Sequence, residues 1–165
     1  MKGQITATIL LMLSVAAGVS AGEDSGKAMS QDAEIEQGRA MVRAGREEVV
    51  RSELHLTDDE SGQFWPIYAT YRTETDAIQD RYAAMIKDYV RRYDNADLSN
   101  EYADELIDTY FGIKRELFAV QEKFLPQFRA VLPSLKVARL FQLENKINAE
   151  IDAQLAMVIP LVDPS

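Results

Sequence analysis

Phe64, Tyr68, Tyr71, Thr75, Ile78, Tyr82, Met85 and Tyr89 recur at spacings of 4-3-4-3-4-3-4. That is a heptad pattern held for more than three repeats, and it demands one long helix with a single apolar seam. Nothing downstream interrupts it early. Between Ile67 and Leu125 there is no Pro and a single Gly, Gly112. No stretch of strand length alternates apolar with polar residues. The start of this helix is also written locally. Thr57-Asp58-Asp59-Glu60 is a capping box, in which the Thr hydroxyl accepts from the backbone three residues on and Glu60 reaches back to the cap. Asp58 and Asp59 suit the positive end of the helix dipole. The pattern predicts a helix from Thr57 to near Tyr93, about 50 Å long at 1.5 Å per residue.

The remaining segments read as partners for that helix. Asp94-Asn95-Ala96-Asp97-Leu98-Ser99 is a turn cluster, with Ser99 the predicted N-cap of the next helix. Tyr102, Leu106, Thr109, Ile113, Leu117, Val120 and Phe124 give that helix its seam. Phe111, Phe118 and Leu125 form a second stripe, seven residues apart. Pro126 is expected to kink or end it. A further helix begins at Leu132-Pro133-Ser134, carries Leu140, Leu143, Ile147, Ile151, Leu155 and Val158, and stops at Pro160. Before the capping box, residues 33–54 read as a helix too, with Ile35, Val42, Val49 and Leu56 at sevenfold spacing and mixed Arg and Glu on its polar face. Two long helices joined by a short turn run antiparallel. The fold class expected is all-α: a long antiparallel helical hairpin with two flanking helices. A thin hairpin has too little mass to bury all its apolar surface. The surplus must meet the flanking helices, a second copy or a client, which makes a dimer the expected state.

The N-terminus bears on compartment. Lys2 is followed by an uncharged run from Ile5 to Val19 and then by Val19-Ser20-Ala21. A short apolar run ending in small residues reads as a secretory signal peptide, residues 1–21, cleaved after Ala21. At 15 residues the run is shorter than the roughly 20 that span a bilayer as a helix. Residues 22–32 read as a flexible leader, and 33–165 as one helical domain. Removing Lys2 with the signal takes the formal net charge from −9 to −10. A chain this acidic repels phosphate backbones, so nucleic acid is not an expected partner. No Cys is present, and an exported protein of this size without disulfides suits a bacterial periplasm. No membrane insertion is expected after signal cleavage.

The residue types that carry site chemistry are scarce in this chain. His55 is the sole His and there is no Cys, so zinc spacing and multi-His sites are ruled out. The residues before His55 do not make the Glu-x-x-His of a di-iron bundle. There is no Gly-rich phosphate loop, no Gly-x-Ser-x-Gly and no calcium-loop pattern. His55 reads as a helix C-terminal residue near the negative dipole end. Asp76, Asp80, Asp88, Asp104, Glu105 and Asp108 lie off the apolar seams and read as a solvated face. No catalytic residue, cofactor or metal is expected.

What stands out instead is aromatic. Phe64-Trp65-Pro66-Ile67-Tyr68 holds the only Trp of the chain beside a Pro inside the predicted helix. Its reading is a bend and anchor: Phe64 and Tyr68 on the seam, Trp65 and Ile67 beside it against the first or last helix, and a kink at Pro66 eased by Gly62. Tyr71, Tyr82, Tyr89, Tyr93, Phe111 and Phe118 are read as core or as a candidate interaction surface.

A long helix opened by Leu56-Thr57-Asp58-Asp59-Glu60, in an all-helical, Cys-free, exported chain, resembles the Spy/CpxP-like family of periplasmic proteins, the LTxxQ-motif group. Glu60 stands where that motif has Gln. A second, weaker copy is Leu132-Pro133-Ser134-Leu135-Lys136, which keeps the Leu. The resemblance spans about residues 33–159. It implies a bent hairpin that dimerises into a thin cradle and an ATP-independent chaperone-like activity in envelope stress, with unfolded or partner proteins as ligands. Its motif and anchor residues here are Leu56, Thr57, Glu60, Phe64, Trp65, Pro66 and Tyr68. The alternative it implies is a regulatory or sensor partner in an envelope-stress or metal-resistance response. Two departures stand out: the chain is strongly acidic where chaperones of this family present a basic concave face, and it lacks the His and Cys of metal-linked relatives.

Overall fold

The computed structural model describes residues 44–163, and they are all-helical, with no strand among them. They fall into two units, one ending at His55 and one beginning at Leu56. The first contributes a helical segment, α1, residues 44–53. Its buried positions are Arg46 and Val50, and Leu54 just past its end continues the spacing of four, whereas Val49 is only half-buried. The sevenfold series Ile35–Val42–Val49–Leu56 therefore misplaces the buried stripe by one residue at Val49. A straight helix turns about 3.6 residues per turn, so a strict seven-residue step drifts off the stripe. Ile35 and Val42, like the signal, the leader and the expected helix start at residue 33, lie outside the described residues. An Arg51–Glu47 pair at 2.7 Å spans one turn of its exposed face. His55 adopts a left-handed backbone, φ 49°, immediately after this segment. That conformation is disfavoured for most residues with a Cβ but is enriched in His.

The second unit holds three helices: α2 (Asp58–Asp94), α3 (Asn100–Val131) and α4 (Ser134–Val158). α2 starts as its sequence dictates. Thr57 Oγ1 accepts from Glu60 N, and Glu60 Oε2 accepts from Thr57 N at 2.8 Å. The helix then runs without a break through Pro66. Pro66 and Gly62 are both exposed, so the carbonyl that Pro66 leaves without a donor opens to water. Of the eight seam residues, Phe64, Tyr68, Tyr71, Thr75, Ile78 and Tyr89 are buried, and Tyr82 and Met85 are half-buried.

α2 ends in a Schellman motif. Asp97 N donates to Arg92 O, and Ala96 N to Tyr93 O, around a left-handed Ala96 at φ 52°. Glycine is the usual residue there, and Ala bears the steric cost of its Cβ. Ser99 then caps α3 by accepting from Tyr102 N.

The contacts between α2 and α3 run in reversed order along the two helices. Phe64 meets Phe128, Tyr71 meets Phe124, Glu74 pairs with Lys123, Arg81 with Glu116, and Arg92 lies over the ring of Tyr102. α4 instead follows α2 in the same direction, with Lys136 at Glu60, Glu144 at Tyr68 and Arg72, and Pro160 at Tyr89.

Pro126 does not end α3, which continues to Val131. Pro126 and Glu122 are exposed, so the lost hydrogen bond again falls on the wet side. The seam therefore extends past Pro126 to a fully buried Phe128. On α3 itself Thr109 is exposed rather than on the seam, and Val158 at the end of α4 is exposed as well.

Candidate functional site

The two motif-like stretches meet. Leu132 of the second is buried, and Lys136, its fifth residue, pairs with Glu60, the fifth residue of the first. Glu60 thus serves the helix cap and the inter-helix contact at once. The Lys136 ammonium, followed by the Thr57 N–H, lowers its pKa below the usual carboxylate value. Leu56, half-buried, precedes the cap.

Beyond the cap lies an aromatic cluster. Phe64 stacks on Tyr68 at 5.2 Å between ring centres and touches Phe128 at 5.7 Å. Tyr71 meets Phe124 and Phe128 edge-on, and Phe128 meets Phe141 of α4. Trp65 is half-buried, and the rings it contacts, Phe64 and Tyr68, belong to its own helix. Its indole N–H donates to Ser61 Oγ at 2.9 Å.

Under these rings sits a charge that sequence reasoning missed. Glu144 is 1 % exposed. Its carboxylate accepts from the Tyr68 hydroxyl at 2.7 Å and from Arg72 at 3.0 Å. Arg72 also pairs with Asp76, which is half-buried rather than on a solvated face. Burial opposes the charge on Arg72, and Glu144 and Asp76 outweigh it, so the Arg72 pKa is raised. The signal for Glu144 was in the sequence. It falls on the α4 stripe, between Leu140, Leu143 and Ile147 at i and i+4 spacing, where a lone carboxylate must find a partner. Arg72 gave no such signal, because it lies beside the α2 seam rather than on it. This group is a packed ion pair. Both Glu144 oxygens accept from donors, one from Tyr68 and one from Arg72.

The six candidates for an interaction surface separate. Tyr71 is 1 % exposed and Tyr89 5 %, so neither lies on a surface. Tyr71 is enclosed by Phe124 and Phe128, and the Tyr89 hydroxyl donates to Pro160 O at 2.8 Å. Tyr82 is half-buried under the Lys114 ammonium, which also covers Tyr110 and lies 3.7 Å from Asp152. Burial first, and then Asp152, raise the Tyr82 pKa. Tyr93, Phe111 and Phe118 are exposed, and Ile107 and Tyr110 join them. Ile107, Phe111, Lys114 and Phe118 step by 4, 3 and 4 residues, which places them on one outward stripe of α3. Phe111 is 55 % exposed and Phe118 61 %. Isolated exposed apolar residues are ordinary, but a row of them on one helix face is the usual mark of a binding surface.

Among the described residues, no group of three or more His, Cys, Asp or Glu is placed to hold a metal ion, and no helix is long and apolar enough to cross a membrane. No family model matches the chain, and no curated protein or solved structure matches it.

Proposed function

We propose that this chain is a periplasmic, non-enzymatic protein-binding module of the Spy/CpxP-like kind, which holds partly unfolded or partner proteins without ATP. The observation that carries this reading is the outward apolar row of α3, Ile107, Phe111 and Phe118. Rings and aliphatic side chains without polar anchors make weak, non-directional contacts that tolerate many sequences, which suits capture of unfolded segments. The pairing of Glu60 with Lys136 supports the resemblance, since it joins the two motif-like stretches. In the finer form of the proposal, α2 and α3 make a long hairpin and two such hairpins form the cradle of a homodimer. The test is aggregation of a chemically denatured client diluted into buffer. Suppression is expected near stoichiometric ratio, and reduced severalfold by Phe111→Ser/Phe118→Ser. No suppression at several-fold excess sinks the reading. Capture of one dominant periplasmic partner in place of many clients would move it to the regulatory alternative.

A further inference from the structure

The apolar row of α3 runs beside a line of acids. Asp104 precedes Ile107 by three residues, Asp108 precedes Phe111 by three, and Glu122 follows Phe118 by four. Side chains three or four residues apart are neighbours on a helix surface, so each member of the row has a carboxylate at its side. At about 100° per residue the three acids fall on one edge of the row, and all three are exposed. Asp104, Asp108 and Glu122 enter no ion pair among the described residues. The same edge carries one exposed cation, Arg115, beside Phe118. Two other cations nearby are engaged. Lys114 lies over Tyr82 and Tyr110 and pairs with Asp152, and Lys123 pairs with Glu74. Further round the helix, Glu116 is answered by Arg81, and exposed Glu101 and Glu105 add to the acidic side of the N-terminal half. The next cation along the face, Arg129, stands eleven residues beyond Phe118, about 16 Å along the axis.

Apolar side chains and unanswered carboxylates on one face narrow what can lie there. An anionic lipid surface is repelled. A second copy brings the same three acids to the contact. A wholly apolar segment takes water from the carboxylates and returns no donor. A segment in which Lys or Arg stands beside the apolar side chains meets both demands. Its apolar groups cover the rings, its basic stems lie over their rims, and the charged heads reach the carboxylates while staying wet. We infer that the outward face of α3 captures cationic amphipathic stretches of polypeptide. This rests on the reading of that face as a protein-binding surface, and it names the class of segment bound. The row also sets a spacing. Ile107 and Phe111 are about 6 Å apart along the axis, and Phe111 and Phe118 about 10 Å, which suits apolar residues recurring every one or two helical turns. The net charge of −9 adds a longer-range attraction for cationic segments, which salt screens.

Three fluorescent peptides test this. They share one amphipathic pattern of Leu and Phe and differ at the polar positions, which are Lys, Gln or Glu. Anisotropy with the purified protein is expected to rank them Lys, Gln, Glu, with about tenfold or more in dissociation constant between Lys and Glu. That gap should close as salt rises. Asp104→Asn/Asp108→Asn/Glu122→Gln should weaken the Lys peptide about tenfold and leave the Gln peptide within about twofold. Phe111→Ser/Phe118→Ser should weaken both. All five positions are exposed, and circular dichroism checks that helix content is kept. Equal binding of the Lys and Glu peptides, a preference for Glu, or a Lys preference that survives the triple variant overturns the inference. So does tighter binding to vesicles of anionic phospholipid than to the Lys peptide. A dimer in sedimentation velocity that Phe118→Ser dissolves overturns it as well, since a second copy then holds the face. The two readings fail separately. Suppression of aggregation that is blind to client charge removes the selection and leaves the chaperone-like function. Binding of the Lys peptide at this face, with no client kept from aggregating, removes that function and leaves the site.

Discussion

α3 carries four phenylalanines of opposite fate. Phe124 and Phe128 are 2 % and 0 % exposed, Phe111 and Phe118 are 55 % and 61 %. Residue type, helix and local propensity are shared, so none of them explains the difference. Phase and neighbours do. Phe124 and Phe128 fall on the side of α3 that meets the α2 rings, and Phe128 also reaches Phe141 of α4. Phe111 and Phe118 point away from α2, where no described element receives them. Where rings from three helices converge, an aromatic stripe becomes core. On the outward face of one helix, the same composition becomes a surface.

The sharpest way to break this contrast is to remove one ring from each set. Phe128→Ala should cost about 3–5 kcal/mol of unfolding free energy, since it deletes a fully enclosed ring. Phe118→Ala should stay within about 0.5 kcal/mol, as surface changes do. Equal losses in denaturant melts of the two variants would mean that Phe118 is covered in solution, and dilution would then show whether a second copy does the covering.

The buried end also holds a charge, which the outward face does not need. Glu144→Ala leaves Arg72 without its buried partner and should cost about 3 kcal/mol. Arg72→Met/Glu144→Leu should recover much of that, because a desolvated ion pair gains little over well-packed apolar groups. If the double variant melts as low as Glu144→Ala, the pair supplies more than packing, and the Tyr68 hydroxyl bond to Glu144 becomes the place to look.

The smallest effect separates backbone from side-chain causes. Ala96 sits left-handed at the C′ position of α2. Ala96→Gly should therefore stabilise by about 1 kcal/mol, by relieving the Cβ clash. It touches neither aromatic set. A loss of stability instead would show that the turn relaxes to another conformation in solution.

Much of the helix plan was legible along the chain. Thr57, Glu60 and Ser99 act through bonds to backbone three residues away, so their meaning is local and a sequence displays it. The α2 seam was equally plain, because a heptad sustained over many turns leaves only one face to bury. What depended on local rules alone went wrong where solvent intervened. Pro126 was allowed as a stop, yet it lies on an exposed side where water can take the lost hydrogen bond, and α3 runs on to Val131. Periodicity also could not tell how deep a stripe lies. Tyr71 and Tyr89 read as possible surface and are enclosed, whereas Phe111 and Phe118 read the same way and are open.

The sequence by itself determined that residues 58–94, 100–131 and 134–158 are mostly helical, where those helices start, and most of each apolar stripe, because caps and periodicity are encoded within a few residues. Only the tertiary structure decided that Glu144 is buried against Arg72 and Tyr68, that Glu60 and Lys136 join two distant stretches, and that one stripe of α3 faces rings while the other faces outward. The first two join residues 72 to 76 positions apart, and all three depend on the rotational phase at which one helix meets another. A one-dimensional pattern does not carry that phase.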